Sequence, residues 1–270
     1  MAHSADAHHE PGYGDDGQTQ TDVPGMSTRP EGAPPSEAVS TNLRTLTSST
    51  ESLLHSIAGL SDTQAREPSL LPNWSRGHVL THIARNAEAM MNLLTWARTG
   101  VETPMYPSRD KRNADIEAGS GRSAEELVAD VRTTAELLQS QLHDTPATSW
   151  DNPIVWGSRN RTALGSEIPH LRRIEVEIHH VDLNLDYTLA HLPEDFVEQM
   201  LADVTRDYSA DHDKPGVVLV GNDDEGRWMI EPGGPEVSGP PPSLLGWLLG
   251  RTEGVGLHSD SPLPTLGAWR

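Results

Sequence analysis

Arg172-Arg173-Ile174-Glu175-Val176-Glu177-Ile178-His179-His180-Val181-Asp182-Leu183, residues 172–183, is the stretch around which the rest of the chain arranges itself. With Leu171 before it and Leu185 after it, apolar residues fall at 171, 174, 178, 181 and 185. That sustained helical period lays one face of the segment against other helices. Glu175 and His179 stand four apart and point the same way, bordering the apolar stripe. A carboxylate stranded in a low-dielectric interior is strongly destabilising, so the pair must be ion-paired, hydrogen-bonded or bound to a cation. A half-buried Glu–His pair satisfies these residues as well as a metal does; a third ligand from elsewhere in the chain separates the two readings.

Working upstream, this fourth helix is expected to run from about Thr162 to Asn184, after a loop holding Pro146, Trp150, Pro153 and Trp156. Ser123 and Glu126 form a capping box in front of Leu127, Val131, Leu138 and Leu142, which marks a third helix. Residues 101–122 carry Pro104, Pro107 and the run Arg109-Asp110-Lys111-Arg112 without a clean period, and read as a long, partly ordered loop over one end of the bundle. A second helix is capped by Asn73 or Ser75, keeps Val79, Ile83, Ala87, Met90 and Leu94 on one face, and stops at Gly100. His82 lies near its start, beside the inward stripe. A first helix spans Ser36 to Leu60, and Pro68 and Pro72 prevent it from continuing into the second. Four helices with connections at alternating ends predict an antiparallel four-helix bundle over residues 37–190. Residues 1–36 are rich in Gly, Pro, Ser, Thr, Asp and His and read as a disordered, solvated tail.

Downstream of Leu192-Pro193 the pattern changes. Glu194 to Tyr208 is an amphipathic helix, Val217-Val218-Leu219-Val220 a buried strand, and Arg227-Trp228-Met229-Ile230 a second strand across the turn between Gly221 and Gly226. Pro240-Pro241-Pro242 opens a short buried helix that ends at Gly250-Arg251. Residues 191–270 therefore form a small α+β domain, and the chain as a whole belongs to the α+β class.

Composition limits the function. A formal net charge of −20, from 20 basic and 40 acidic residues, argues against nucleic acid or an anionic membrane as partner. An anionic small molecule has to be met by individually placed arginines. The absence of cysteine excludes a disulfide framework, a thiolate metal site and a cysteine nucleophile, so any thiol chemistry uses a thiol from outside. Neither a signal-peptide pattern nor an apolar run of membrane-spanning length is present, which leads us to expect a soluble, cytoplasmic protein. Monomer and homodimer both stay open.

Leu71-Pro72-Asn73-Trp74-Ser75-Arg76-Gly77-His78-Val79-Leu80-Thr81-His82, with Asn86 and Leu93-Leu94-Thr95-Trp96-Ala97-Arg98-Thr99-Gly100, resembles the N-terminal domain of mycothiol-dependent maleylpyruvate isomerases. The resemblance continues through residues 102–107, Ala114-Asp115-Ile116-Glu117, the Arg173 to Leu183 motif and the run from Gly239 to Arg251, and so covers roughly residues 37–270. It implies a DinB-like bundle followed by a small C-terminal domain. It also implies a divalent metal, usually zinc, held by one histidine of the second helix and a Glu-x-x-x-His pair of the fourth, positions that match His82, Glu175 and His179. Three nitrogen and oxygen ligands with an open fourth position suit a catalytic zinc. Glu177 and His180 compete for these roles, but each lies about 100° round the helix axis from its neighbour, away from the seam. Asp182 suits an outer acceptor that fixes the His179 tautomer, or else is a surface carboxylate.

The activity implied is addition of mycothiol thiolate to maleylpyruvate, rotation about the bond made single, and expulsion of the thiol to leave fumarylpyruvate. Arg251 matches the family arginine associated with the developing negative charge and the thiol cofactor; as a helix-terminal residue it also compensates the dipole of its own helix. Arg112 is a second candidate for the charge, with an exposed loop cation as the alternative. Two other functions stay open: a mycothiol S-transferase or thiol-exchange enzyme on the same fold, as in antibiotic biosynthesis, and a non-catalytic binding module.

Overall fold

The structure is a computed structural model; it describes residues 34–157, 161–222, 226–267 and 269. The tail expected over residues 1–36 lies, but for residues 34–36, outside the described residues. Four long helices make the bundle: α1 (Glu37–Ile57), α3 (Arg76–Thr99), α5 (Ala124–His143) and α6 (Ile168–Asp182), with a one-turn helix, α2 (Asp62–Arg66), between the first two. Each start is chemically marked. Ser36, Ser61, Ser75 and Ser123 accept backbone N–H groups at the N-termini of α1, α2, α3 and α5, and the last three complete capping boxes. Gly100 ends α3 in the left-handed conformation at φ 70°.

Helix α3 is the centre of the bundle and is buried on nearly every side. Its small residues Ala84, Ala87 and Ala97 let neighbours approach, while Leu80, Ile83 and Leu93 fill the space between them. Its position against α6 is set at one end by Arg76, which donates Nε to the Leu183 carbonyl (2.7 Å) and Nη2 to the Asn184 carbonyl (2.7 Å). A guanidinium on the C-terminal carbonyls of a helix satisfies orphan acceptors and the helix dipole together. Both helices rise 1.5 Å per residue and run in opposite directions. Six residues along α3 from Arg76 and six back along α6 from Leu183 therefore meet at His82 and residue 177, midway between Glu175 and His179.

Two expectations need correction. Residues 101–122 are not a loop throughout: α4 (Arg109–Ser120) starts at Ser108, whose hydroxyl accepts from the Lys111 N–H (3.0 Å). Ile116 is its only buried residue among those described, so no apolar stripe advertised it. It packs on α3 where Gly77 has no side chain; a Cβ there would stand 2.2 Å from the Ser120 carbonyl oxygen. The fourth helix also begins later than expected. Strand β1 (Pro153–Trp156) pairs antiparallel with β2 (Arg161–Leu164), and α6 starts only at Ile168, with Pro169 in its first turn.

The C-terminal half comprises α7 (Glu194–Ser209), β3 (Val217–Gly221), β4 (Arg227–Ile230), β5 (Glu236–Gly239) and α8 (Pro241–Leu248). The sheet order is β4-β3-β5, with β4 antiparallel and β5 parallel to β3. Its core, built on Phe196, Met200, Leu219 and Leu245, takes in Ile174, Ile178 and Val181 of α6. Helix α6 thus serves two cores, one on each side. No helix of the described residues is long and apolar enough to cross a membrane.

Candidate metal centre

The register set by Arg76 brings three side chains together on the seam between α3 and α6. His82 Nε2 lies 3.0 Å from Glu175 Oε2 and 3.0 Å from His179 Nε2, and His179 Nε2 lies 3.5 Å from the same carboxylate oxygen. A tetrahedral cation with bonds of about 2.0–2.1 Å spaces its ligand atoms roughly 3.3 Å apart, so the three observed edges bracket the required value. The donor set, two imidazoles and a carboxylate, is one that zinc accepts. Among the described residues this is the group that could hold a metal ion. His82 forms the floor, its side chain 4% exposed, while Glu175 (26%) and His179 (15%) border the open side.

The two imidazoles are held from behind. Trp74, delivered by the turn at Asn73 (φ 64°), packs edge-on against the His82 ring with centroids 5.8 Å apart. Helix α4 carries Arg112 to the other face of that ring, with Nη2 3.1 Å from His82 Nδ1. His179 Nδ1 donates to Asp182 Oδ2 (2.8 Å), and the fully buried Asp182 takes both Nε (2.9 Å) and Nη2 (2.8 Å) of Arg251. Arg251 also donates Nη1 to the Leu249 carbonyl at the end of α8 (2.9 Å). It reaches the triad through Asp182. Glu177 and His180 face away: Glu177 accepts from Ser49 (2.5 Å) and Tyr187 (2.6 Å), and His180 stacks on the Tyr187 ring.

The protonation pattern follows from these contacts. Burial, aided by the neighbouring His179, brings the His82 imidazole down to about 4. Burial also disfavours charge on His179, but its bonds to Asp182 and Glu175 outweigh that and leave its pKa raised. Burial opposes ionisation of Glu175 and Asp182; contacts from the two imidazoles hold Glu175 well below the usual range, and His179 and Arg251 hold Asp182 low. At neutral pH, then, His82 is the neutral imidazole and His179 has the stronger hold on a proton. With Arg112 donating to its Nδ1, His82 carries its own proton on Nε2, toward Glu175.

Residues 46–184 match the family described as the mycothiol maleylpyruvate isomerase N-terminal domain, more than half of the chain. The chain belongs to that family. The mycothiol-dependent maleylpyruvate isomerase fold extends through the C-terminal half as well. A crystal structure of a mycothiol-dependent maleylpyruvate isomerase is 29% identical with a TM-score of 0.81. That of a histidine-to-alanine mutant is 28% identical with a TM-score of 0.80, and either alignment covers 86% of this chain and 97% of the other. No curated protein matches the sequence.

In this member of the family, sequence reasoning passed over Trp74, Tyr106 and Arg172 as parts of the site. Arg172 is fully buried one turn before Glu175 and donates Nη1 to Asn86 Oδ1 (2.7 Å) and to the Ile83 carbonyl (2.9 Å). Tyr106 lies beneath the Arg112 guanidinium, 5.8 Å from its ring centroid. Burial, with Glu175 adding to it, pushes the Tyr106 phenol up, so it stays protonated. Arg172 had a visible signal: it stands three residues before Glu175 and therefore shares its side of the helix.

Proposed function

We propose that this protein isomerises maleylpyruvate to fumarylpyruvate with mycothiol as the thiol and a divalent cation, zinc, held by His82, Glu175 and His179. The observation that carries the reading is the triangle of three ligand atoms with edges of 3.0, 3.0 and 3.5 Å, open on one side. When bound, the cation supplies Lewis acidity that lowers the pKa of a thiol toward neutrality. The protein's own groups do the rest. Asp182 keeps the His179 proton on Nδ1 and so turns the Nε2 lone pair into the triangle. Use of His82 Nε2 as a ligand atom requires that imidazole to carry its proton on Nδ1. Arg112 then has no acceptor there, and its guanidinium is left to an anion in the site.

Thiolate addition forms a C–S bond and moves the electron pair of the conjugated double bond onto a carbonyl oxygen as an enolate. After rotation about the new single bond, the enolate collapses and the C–S bond breaks, so thiol and protons are conserved. The charges around the site suit this sequence. Arg112, Arg172 and Arg251 against Glu175 and Asp182 leave one excess positive charge, or three with a divalent cation. That matches a thiolate together with a dicarboxylate dianion, on a protein whose net charge is −20.

The test is purified, zinc-loaded protein incubated with maleylpyruvate and a tenfold deficit of mycothiol. Complete conversion to fumarylpyruvate with the thiol recovered is the expected result. Consumption of one thiol per product would instead make the protein an S-transferase, and zinc-loaded protein without turnover would set the reading aside.

A further inference from the structure

Two unsatisfied groups meet one helical turn along the seam from the metal triad. Buried arginines elsewhere in the protein have an acid: Arg76 pairs with Glu67, and Arg173 with Asp195 at 2.6 Å. Arg172, 2% exposed, makes no ion-pair contact among the described residues; its Nη1 is fixed by a carbonyl and an amide oxygen, neither of them charged, and Glu175, one turn on, acts on it only from beyond contact. A buried cation in that condition is costly unless a counter-ion arrives. The second group is the Tyr106 hydroxyl. It is buried and no hydrogen bond of full geometry reaches it, although Arg112 and Asn86 stand close enough to interact with it. An unmade bond at a buried hydroxyl is destabilising by about 1–3 kcal/mol.

These groups converge. Asn86, which pins Arg172, is one turn beyond His82 on α3; Arg172 is one turn before Glu175 on α6; Arg112 spans from Tyr106 to His82. The seam at this level therefore offers two guanidinium groups and one O–H donor, and the acid that acts on them among the described residues is Glu175 of the triad. At 1.5 Å rise per residue it lies roughly 5–6 Å from the triad. In an extended oxo-dicarboxylate the far carboxylate stands about four bonds, or roughly 5 Å, from the reacting double bond.

We propose that Tyr106 and Arg172, with Arg112, form the seat for the far carboxylate of the electrophile, Tyr106 donating a hydrogen bond to it. The seat makes the enzyme selective for doubly charged substrates, and it presupposes the isomerase or transferase reading above only in placing the electrophile beside the triad. Its prime test is Tyr106→Phe, an isosteric change that deletes the unsatisfied hydroxyl. If the hydroxyl served the fold, its loss would lower the Tm; under the proposal the Tm is unchanged or raised.

Calorimetric titration of the zinc-loaded full chain with succinylpyruvate, the saturated analogue that keeps both carboxylates at their spacing, without thiol, is expected to give affinity about tenfold weaker in Tyr106→Phe than in the wild type. Its monoester at the 2-oxo acid end should bind the two alike, and the KM for mycothiol should not move. Equal succinylpyruvate affinities for wild type and variant overturn the seat. So does a rise confined to the KM for mycothiol. Arg172 also borders a cavity of about 180 Å³ between α1 and α5, lined by Leu43, Leu46 and Leu138. An anion held from that side would respond to Arg172→Lys but not to Tyr106→Phe, and that pattern too overturns the proposal. Tyr106-dependent succinylpyruvate binding without isomerisation of maleylpyruvate would refute the proposed reaction and leave the seat standing. A wild type that binds no succinylpyruvate refutes the seat outright.

Discussion

Replacing Asp182 by asparagine changes a single charge and almost no volume, yet it disconnects the ligand His179 from the C-terminal half of the protein. The Asp182 carboxylate has no exposed surface and receives three charge-assisted contacts, one from His179 and two from Arg251, all between 2.8 and 2.9 Å. An asparagine can present one oxygen to one of these donors, and its amide N–H groups then face the other. Breaking a buried ion pair from one side costs about 3–5 kcal/mol; with the Arg251 side chain 22% exposed, water recovers part of this, and about 2–4 kcal/mol is expected. For a folded body of this size that is a fall in Tm of roughly 5–15 °C in the metal-free protein. Loss of the carboxylate behind a ligating imidazole should also weaken zinc by about 10–100-fold. Thermal unfolding in chelator and competition titration with a chromophoric chelator measure the two effects separately. A lowered Tm with unchanged zinc affinity would reduce Asp182 to a structural ion pair and refute the positioning role. A variant indistinguishable from wild type in both would refute the geometry itself.

Further outcomes follow from the same contacts. His82→Ala and His179→Ala should lose bound zinc while keeping the wild-type helical circular dichroism; unfolding of either would show that the histidines are core residues first. Zinc binding below the raised pKa of His179 should release protons, because that imidazole must give one up, and affinity should fall as pH falls below that pKa. Calorimetry in buffers of different ionisation enthalpy reads the number, and a value of zero contradicts the assignment.

In the metal-free protein His82, its pKa lowered to about 4, removes stability as pH drops below about 6.5, and the depressed Glu175 and Asp182 remove more at lower pH. The raised His179 contributes stability that is complete below about 6.5 and is lost as pH rises through its folded value, so the metal-free Tm should peak near that pH. A Tm rising steadily to pH 8 would contradict this. Gly77→Ala should destabilise by about 1–3 kcal/mol by driving a Cβ into the Ser120 carbonyl, and should raise the KM for maleylpyruvate by displacing the helix that carries Arg112. An unaltered Tm would mean that α4 does not dock there.

The elements that were legible in the sequence are those whose chemistry is local and repeated. Serine caps and apolar periods announce α1, α3 and α5, and the 175/179 spacing puts two candidate ligand side chains on one face before any tertiary contact is known. Helix α4 was hidden because a helix that buries one residue has no periodic stripe to read. Strand β1 was read into the loop before the fourth helix and β2 into that helix's start, because the strands are only four residues each and face a core made by helices. Arg251 was legible as a candidate from the run in which it lies. Its attachment through Asp182 was not, since residues 69 apart in sequence meet only when the C-terminal half folds back on α6. Tyr106 lay inside a matched run with no role attached, and Arg172 had only its spacing from Glu175; what singles them out is the absence of a well-formed hydrogen bond for the one and of a contacting acid for the other, which exists only in three dimensions.

The central claim is that His82, Glu175 and His179 hold one cation and leave a position on it for sulfur. X-ray absorption at the zinc edge, on loaded protein with and without mycothiol, tests it most directly. Nitrogen and oxygen scatterers at about 2.0–2.1 Å, joined on addition of the thiol by one sulfur at about 2.3 Å, are the predicted result. A zinc shell that is unchanged by the thiol, or zinc retained in full by the His82→Ala variant, would contradict it.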